Sequence, residues 1–133
     1  MILVDTSAWS EYFRATGSSA AIEVRRLLSD RRGQIAMCEP IAMEILCGAT
    51  NETHPTLERL VNGLPSLAVE NAVDFRTAAD ICRAARRAGK TIRSINDCLI
   101  AAVAIRHDAR IVHCDIDFDV IAQMTSLDAA SIR

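Results

Sequence analysis

Four acidic residues fall where the surrounding sequence is otherwise apolar: Asp5 after Ile-Leu-Val, Glu44 within IAMEIL, Asp97 before CLIAAVAI, and Asp115 after IVHC. Burying a carboxylate is costly unless a positive charge or hydrogen-bond donors compensate it, and one divalent cation compensates several at once. Three of the four stand at the ends of expected strands or helices, where α/β folds place their chemistry. The pattern implies a metal site assembled from pieces of the whole chain, and with it a hydrolytic activity.

Each acid also has a purely structural reading. Asp5 could cap the helix that follows, but Thr6 and Ser7 are also suited to that role and would leave the Asp5 carboxylate free. Glu44 could be one exposed position of an amphipathic helix. The run S-I-N-D fits a capping box, with Ser94 as N-cap and Asp97 reaching back, which competes with metal for the same oxygens. Asn96 beside it is placed to hydrogen-bond a ligand or a group that supports one. In D-I-D-F, Asp115 and Asp117 follow a strand and precede a helix, so one caps and the other is free to hold metal, directly or through water. Asp119 reads as a first-turn acid favoured by the helix dipole. His113, between Val112 and Cys114, reads as a core histidine rather than a general base.

The elements that must position these acids alternate between strand and helix. MILVD is a short strand apolar on both faces, as in a parallel sheet. A helix follows from Thr6 or Ser7 to Arg14, and an amphipathic one from Ala20 to Arg31 stops at Gly33. Gln34–Cys38 is a second strand, and Pro40 opens a helix running to Ala49. Thr56–Asn62 is helical, Leu67–Val69 a short third strand, and Asn71–Ala88 a long Ala-rich helix ended by Gly89. Ser94–His107 is helix, Ala109–Asp115 strand, and Phe118–Met124 a last helical piece. The order predicts an α/β fold with a mostly parallel sheet and helices on both faces.

Composition narrows the function classes. The chain has 133 residues, half of them apolar, which suits one domain with a real core and argues against disorder. No apolar run reaches the roughly 18 to 20 residues that span a bilayer, and MILVDTS lacks the basic start of a signal peptide, so a cytoplasmic protein is expected. The five cysteines form no C-x-x-C and have aliphatic neighbours, which reads as core filling; with the three histidines they make no zinc spacing. The net charge of −2 gives no global nucleic-acid signature. Arg83, Arg86, Arg87, Lys90 and Arg93, however, crowd the stretch just before S-I-N-D, and Arg25, Arg26, Arg31 and Arg32 make a second group. Either is explained as a solvated helix face, but basic residues beside an acidic metal centre also suit a phosphodiester substrate.

Taken together and in this order, M-I-L-V-D-T-S-A-W, E-P-I-A-M-E-I-L-C-G-A, S-I-N-D-C-L-I-A-A and H-C-D-I-D-F-D-V-I-A resemble the PIN-domain ribonucleases, specifically the toxins of the VapBC toxin–antitoxin class. The resemblance covers nearly the whole chain and implies a single PIN domain over residues 1–133, with a three-layer α/β/α fold around a central, mostly parallel sheet. The family's acidic quartet falls on Asp5, Glu44, Asp97 and Asp115, with Asp117 as a further acid and Ser7 as a hydroxyl supporting the first Asp. It implies endonucleolytic cleavage of structured RNA, often tRNA, with Mg²⁺ or Mn²⁺ as the ion, and so inhibition of translation. A VapB-like antitoxin and a homodimer are implied as well. Arg86, Arg87, Lys90 and Arg93 are the residues placed to contact RNA, by their position rather than by the resemblance. Trp9, Tyr12 and Phe13, at helical spacing, read as core, although one of them could line an antitoxin groove.

Two rival classes stay open. A non-catalytic binding module could use the same acids to hold a basic partner segment. A phosphatase of the haloacid-dehalogenase type also begins with a strand-end Asp, but needs a second Asp two residues on, where this chain has Ser7.

Overall fold

Ile2–Val4 forms β1 and runs directly into α1, Thr6–Phe13; α2 follows at Ser19–Asp30, then a short 3-10 turn at Arg32–Gln34 and β2 at Ile35–Ala36. The chain continues through α3 (Glu39–Cys47), α4 (His54–Gly63), α5 (Asn71–Arg87), α6 (Ile95–Arg106), β3 (Arg110–His113), α7 (Ile116–Met124) and β4 (Asp128–Ser131). The computed structural model describes all 133 residues.

The four strands lie in the order β2-β1-β3-β4, and every pairing is parallel. Consecutive strand residues Leu3 and Val4, Ile35 and Ala36, and Ile111 to His113 are all buried, so both faces of the sheet are covered. That is why these strands read as unbroken apolar runs instead of alternating ones. One hydrophobic cluster of 29 buried residues joins the sheet to the helices around it.

Two elements differ from the sequence expectation. Leu67–Val69 is not a strand; a single parallel bridge joins Met37 to Ser66, with Leu67 N–H donating to the Met37 carbonyl at 2.7 Å. The partner segment turns into α3 directly after Cys38, its N-cap, so Leu67–Val69 has no further strand to pair with. Conversely, β4 forms from D-A-A-S, which lacks the β-branched or aromatic residues that mark a strand. It pairs with β3 from Arg110↔Asp128 to His113↔Ser131, so its shape is imposed by the neighbouring strand. Elsewhere helix ends shift by at most two residues, as at the end of α3 and the starts of α4 and α7.

The topology places one crevice. From β1 the chain goes to one side to make β2 and later to the other side to make β3, so the carboxyl ends of β1 and β3 flank the point where the winding reverses. Asp5 follows β1, and its N–H extends the ladder by donating to the Val112 carbonyl at 2.9 Å. Asp115 follows β3.

Away from this crevice, a buried ion pair ties α5 to α6. Asp74, 1% exposed, receives Arg106 Nε at 2.9 Å and Nη2 at 2.8 Å, and accepts Glu70 N–H at 2.8 Å. Arg106 and His107 also bond the Ala68 carbonyl, anchoring the loop before α5. The five cysteines are all free; Cys38 and Cys98 fill the core as expected, whereas Cys47, on the outer face of α3, is exposed.

Candidate metal centre

Three helices begin at the crevice, and each brings an acid in or beside its first turn. Asp5 is the N-cap of α1, Asp97 stands in the first turn of α6, and Asp115 is the N-cap of α7 with Asp117 just inside it. Helix N-termini favour negative charge, so the fold gathers carboxylates where backbone dipoles offset part of their repulsion. Glu44 comes from the second half of α3. Carboxylate oxygens of Asp5, Glu44 and Asp97 all lie within 4.8 Å of one another, and so do those of Asp97, Asp115 and Asp117. Asp97 is common to both groups.

Asp5 caps its helix itself, although Thr6 and Ser7 were also suited to that role. Its Oδ2 accepts Ser7 N–H at 3.0 Å and the Ser7 hydroxyl at 2.6 Å. That hydroxyl in turn accepts Cys114 N–H at 3.1 Å, which locks β1 and β3 termini into one network. The other oxygen of Asp5, Oδ1, is buried and receives no donor. One carboxylate thus does both jobs, an oxygen for each.

Asp97 does not complete a capping box. Ser94 makes no side-chain cap; its backbone N–H instead donates to Asp117 Oδ2 at 3.1 Å. Asp97 is 3% exposed, and its Oδ2 is likewise buried without a donor. Burial raises its pKa well above the ordinary carboxylate range, helped by a hydrogen bond shared with Asp117 and by the charges of Asp5 and Asp115. Asp5 is raised too, by burial first, against the lowering effect of its bonds to Ser7. Glu44 is raised by burial and by the charge on Asp5.

Glu44 is only half-buried, but it is held from both sides. Asn96 Nδ2 donates to its Oε1 at 3.0 Å and to the Pro40 carbonyl at 3.3 Å, and the Thr6 hydroxyl reaches the same oxygen at 3.5 Å. Thr6 was visible in the sequence only as a possible cap; its reach across to α3 depends on the fold.

Asp115 and Asp117 divide their work differently from Asp5. Asp115 caps α7 by accepting Asp117 N–H at 2.9 Å. Asp117, 1% exposed, accepts Arg93 N–H on both oxygens at 3.1 Å and Ser94 N–H on Oδ2, so it fastens the loop that enters α6. Arg93 also extends its guanidinium over the acids: Nη2 donates to Asp115 Oδ1 at 3.3 Å, and Nε lies 3.7 Å from Asp117 Oδ1. Arg86, Arg87 and Lys90 are exposed around the end of α5 and make no bond to these acids.

His113 is buried and packs on Phe118 with ring centroids 5.2 Å apart. Its Nδ1 accepts Asp115 N–H at 3.1 Å, which orients the backbone of that acid, and burial lowers its pKa so that it stays neutral. It is a core histidine as expected, though Nε2 finds no partner closer than Asp119 at 3.7 Å. Asp119 itself pairs with Arg133 at the end of the chain. Trp9 is fully buried and stacks on Phe13 at 5.6 Å. Phe13 is partly exposed and lines a groove of about 640 Å³ between α1 and the α3–α4 segment, which Thr6 and Glu44 connect to the acidic crevice.

The donor set fits a hard divalent cation. It is all oxygen, and two of the oxygens are buried and without a proton donor, a costly state that an ion would relieve. With no sulfur or imidazole nitrogen aimed into the crevice, the set suits Mg²⁺ or Mn²⁺ better than zinc.

The PIN-domain family model matches residues 2–124. A VapC ribonuclease of Mycobacterium bovis is 75% identical over 134 residues, covering 100% of both chains. Ribonuclease VapC11 of Mycobacterium tuberculosis strain H37Rv matches to the same extent, 75% over 134 residues with 100% of both chains covered. Among solved structures, VapBC2 from Rickettsia felis, bound to a DNA fragment from their promoter, superposes over 100% of both chains with a TM-score of 0.75 at 18% identity, a likeness of fold. The chain belongs to the PIN-domain family, among its VapC members.

Proposed function

We propose that this protein is the toxin of a VapBC-type toxin–antitoxin pair and acts as a Mg²⁺-dependent endoribonuclease on structured RNA, tRNA being the favoured substrate. The observation that carries the reading is the pair of donor-less buried oxygens, Asp5 Oδ1 and Asp97 Oδ2, within one cluster of carboxylates. Asp5, Glu44 and Asp97 would hold the ion, with Asp115 and Asp117 on its other side; Mn²⁺ would substitute. When bound, the ion supplies Lewis acidity at the scissile phosphate and activates water for attack on phosphorus.

The chain's own residues do the rest. Ser7 fixes the Asp5 carboxylate so that Oδ1 faces the crevice. Asn96 and Thr6 hold Glu44 by Oε1 and leave Oε2 free. Asp97, whose pKa is raised first by burial and then by its hydrogen bond with Asp117, would have to bind a cation as the deprotonated carboxylate. Arg93, with Arg86, Arg87 and Lys90 further out, lines the approach with positive charge for the RNA backbone. Hydrolysis would leave a 5′-phosphate and a 3′-hydroxyl. A VapB-like antitoxin is the partner we assign to the groove beside Phe13, whose Glu44 end would receive a basic side chain from that segment. The solved neighbour from Rickettsia felis is a VapBC complex, which supports this partner. A homodimer in the cytoplasm completes the proposal. No helix of the chain is long and apolar enough to cross a membrane.

The test is cleavage of total cellular RNA by antitoxin-free protein, with Mg²⁺, with EDTA, and with Asp5→Ala or Asp97→Asn. Discrete fragments that vanish with the chelator and with either variant are expected, and mapping their ends identifies the RNA. Intact RNA from folded, metal-loaded protein would overturn the nuclease reading in favour of a binding module.

A further inference from the structure

The two overlapping groups of acids are not equivalent. In the first, Asp5 Oδ1 receives no donor from the protein, and neither does Oδ2 of Asp97, which both groups share. In the second, donors are plentiful: both oxygens of Asp117 accept backbone N–H groups, and Asp115 Oδ1 accepts the N–H of Asp117 and Nη2 of Arg93. Arg93 is the only cationic side chain that touches either group.

Its position is not that of an ordinary surface arginine. The side chain is 67% exposed, and an exposed ion pair alone is weak and easily lost to salt. The residue's own N–H, however, is clamped by the buried Asp117 carboxylate, so its stem starts at the rim of the crevice. The guanidinium is thereby delivered to Asp115 and Asp117 by the backbone. Nη2 and Nε face the acids, and the exposed side of the planar group keeps N–H donors for a phosphate oxygen.

We infer that Arg93 is the resident cation of the Asp97–Asp115–Asp117 half, so that the chain takes a single divalent ion, at Asp5–Glu44–Asp97, and uses the guanidinium where a two-metal nuclease would use a second ion. The inference rests on the metal-nuclease reading above and deepens it. A second ion at Asp115 must displace a tethered positive charge and meets Asp115 Oδ1 and both oxygens of Asp117 already engaged by N–H donors. One ion at the first half meets Asp5 Oδ1 and Asp97 Oδ2, which receive no donor, and Glu44, whose donors all go to Oε1. Arg93 would then offer its positive charge to a substrate phosphate from the Asp115–Asp117 side of Asp97.

The experiment is a Mn²⁺ titration of antitoxin-free full-length protein followed by electron paramagnetic resonance and calorimetry. Wild type, Arg93→Lys and Arg93→Gln are compared, each shown folded by circular dichroism. Wild type and Arg93→Lys are expected to bind one Mn²⁺ per chain. Arg93→Gln is expected to gain a second site, its affinity at least about tenfold above any residual second binding in wild type, as for loss of a group that supports or opposes a metal ligand. Asp115→Asn introduced into Arg93→Gln should abolish that second site and leave the first. Two tight sites in wild type would overturn the inference, and so would a stoichiometry of one in Arg93→Gln. Absence of Mn²⁺ binding in every variant would instead bring down the metal-nuclease reading itself.

Discussion

This molecule buries carboxylates in two places, and it treats them in opposite ways. Asp74 is enclosed between α5 and α6 with Arg106 bidentate on it and a backbone N–H besides, so its charge is met within the chain and its pKa falls. Asp5 and Asp97 are as deeply buried, yet each keeps an oxygen with no donor, and their pKa values rise. A buried acid whose partners come from its own chain contributes to the fold. One whose partner must come from outside is stabilised only when that partner is bound, and it marks the site.

The contrast breaks most visibly if the two kinds of acid are neutralised in parallel. Asp97→Asn should cut RNA cleavage by at least about 100-fold, more than loss of a supporting group costs a metal site, while the metal-free Tm stays level or rises. Asp74→Asn should do the reverse, lowering Tm with the activity of the folded fraction preserved. A fall in metal-free Tm for Asp97→Asn would mean that its charge is already compensated.

Removing the partner from the structural pair should be nearly as severe. Arg106→Ala leaves Asp74 buried and alone, which costs about 2 to 4 kcal/mol for a pair whose arginine is partly exposed; urea denaturation measures it, and Mn²⁺ should not rescue the loss beyond its effect on wild type.

On the proposed function, protons and metal would compete at one region and not at the other. Asp5, Glu44 and Asp97 hold their protons to higher pH in the folded state than in the unfolded chain. Their contribution to metal-free stability is therefore greatest below the ordinary carboxylate pKa and is lost as pH rises through the elevated values. An ion must displace those protons, so the rise in Tm on adding Mn²⁺ should be several-fold larger at pH 7.5 than at pH 5. A pH-independent rise would place the ion elsewhere.

The smallest expected effect sharpens the boundary. Asn96→Ala frees Glu44 Oε1 without removing a charge, and should weaken Mn²⁺ binding by about tenfold, with Asn96→Asp weaker still because a carboxylate there repels Glu44. Calorimetric titration of both variants measures it.

Much of this was legible in the chain, because the acids interrupt apolar runs. A strand ending I-L-V-D and another ending I-V-H-C-D have few ways to sit in a parallel sheet without bringing Asp5 and Asp115 to the same edge. What the sequence did not disclose depends on contacts between distant elements. The choice of Asp5 over Ser7 as the cap follows from the Ser7 hydroxyl being engaged by Cys114 N–H. The open capping box at Ser94 follows from Asp117 taking that N–H instead. The role of Arg93 was partly visible as one of five basic residues before S-I-N-D; that it alone turns toward the acids is set by where Asp117 holds its backbone. β4 was illegible because its residues have no strand preference of their own.

The pairing of β1 with β3 has one more consequence, and it concerns the birth of the protein. β1 is the first strand made, but its partner on one side begins at Arg110, so the sheet stays open at its centre until almost the whole chain has been synthesised. Pairing over such sequence separations is slow to form and depends on the late segment being free of the ribosome. A translating ribosome therefore carries an inert precursor: Asp5 is present from the start, but the strand and helix that bring Asp115 and Asp117 to it arrive last. Incomplete chains lack the assembled acidic crevice, and a time window opens between the synthesis of β3 and α7 and the closing of the sheet around them.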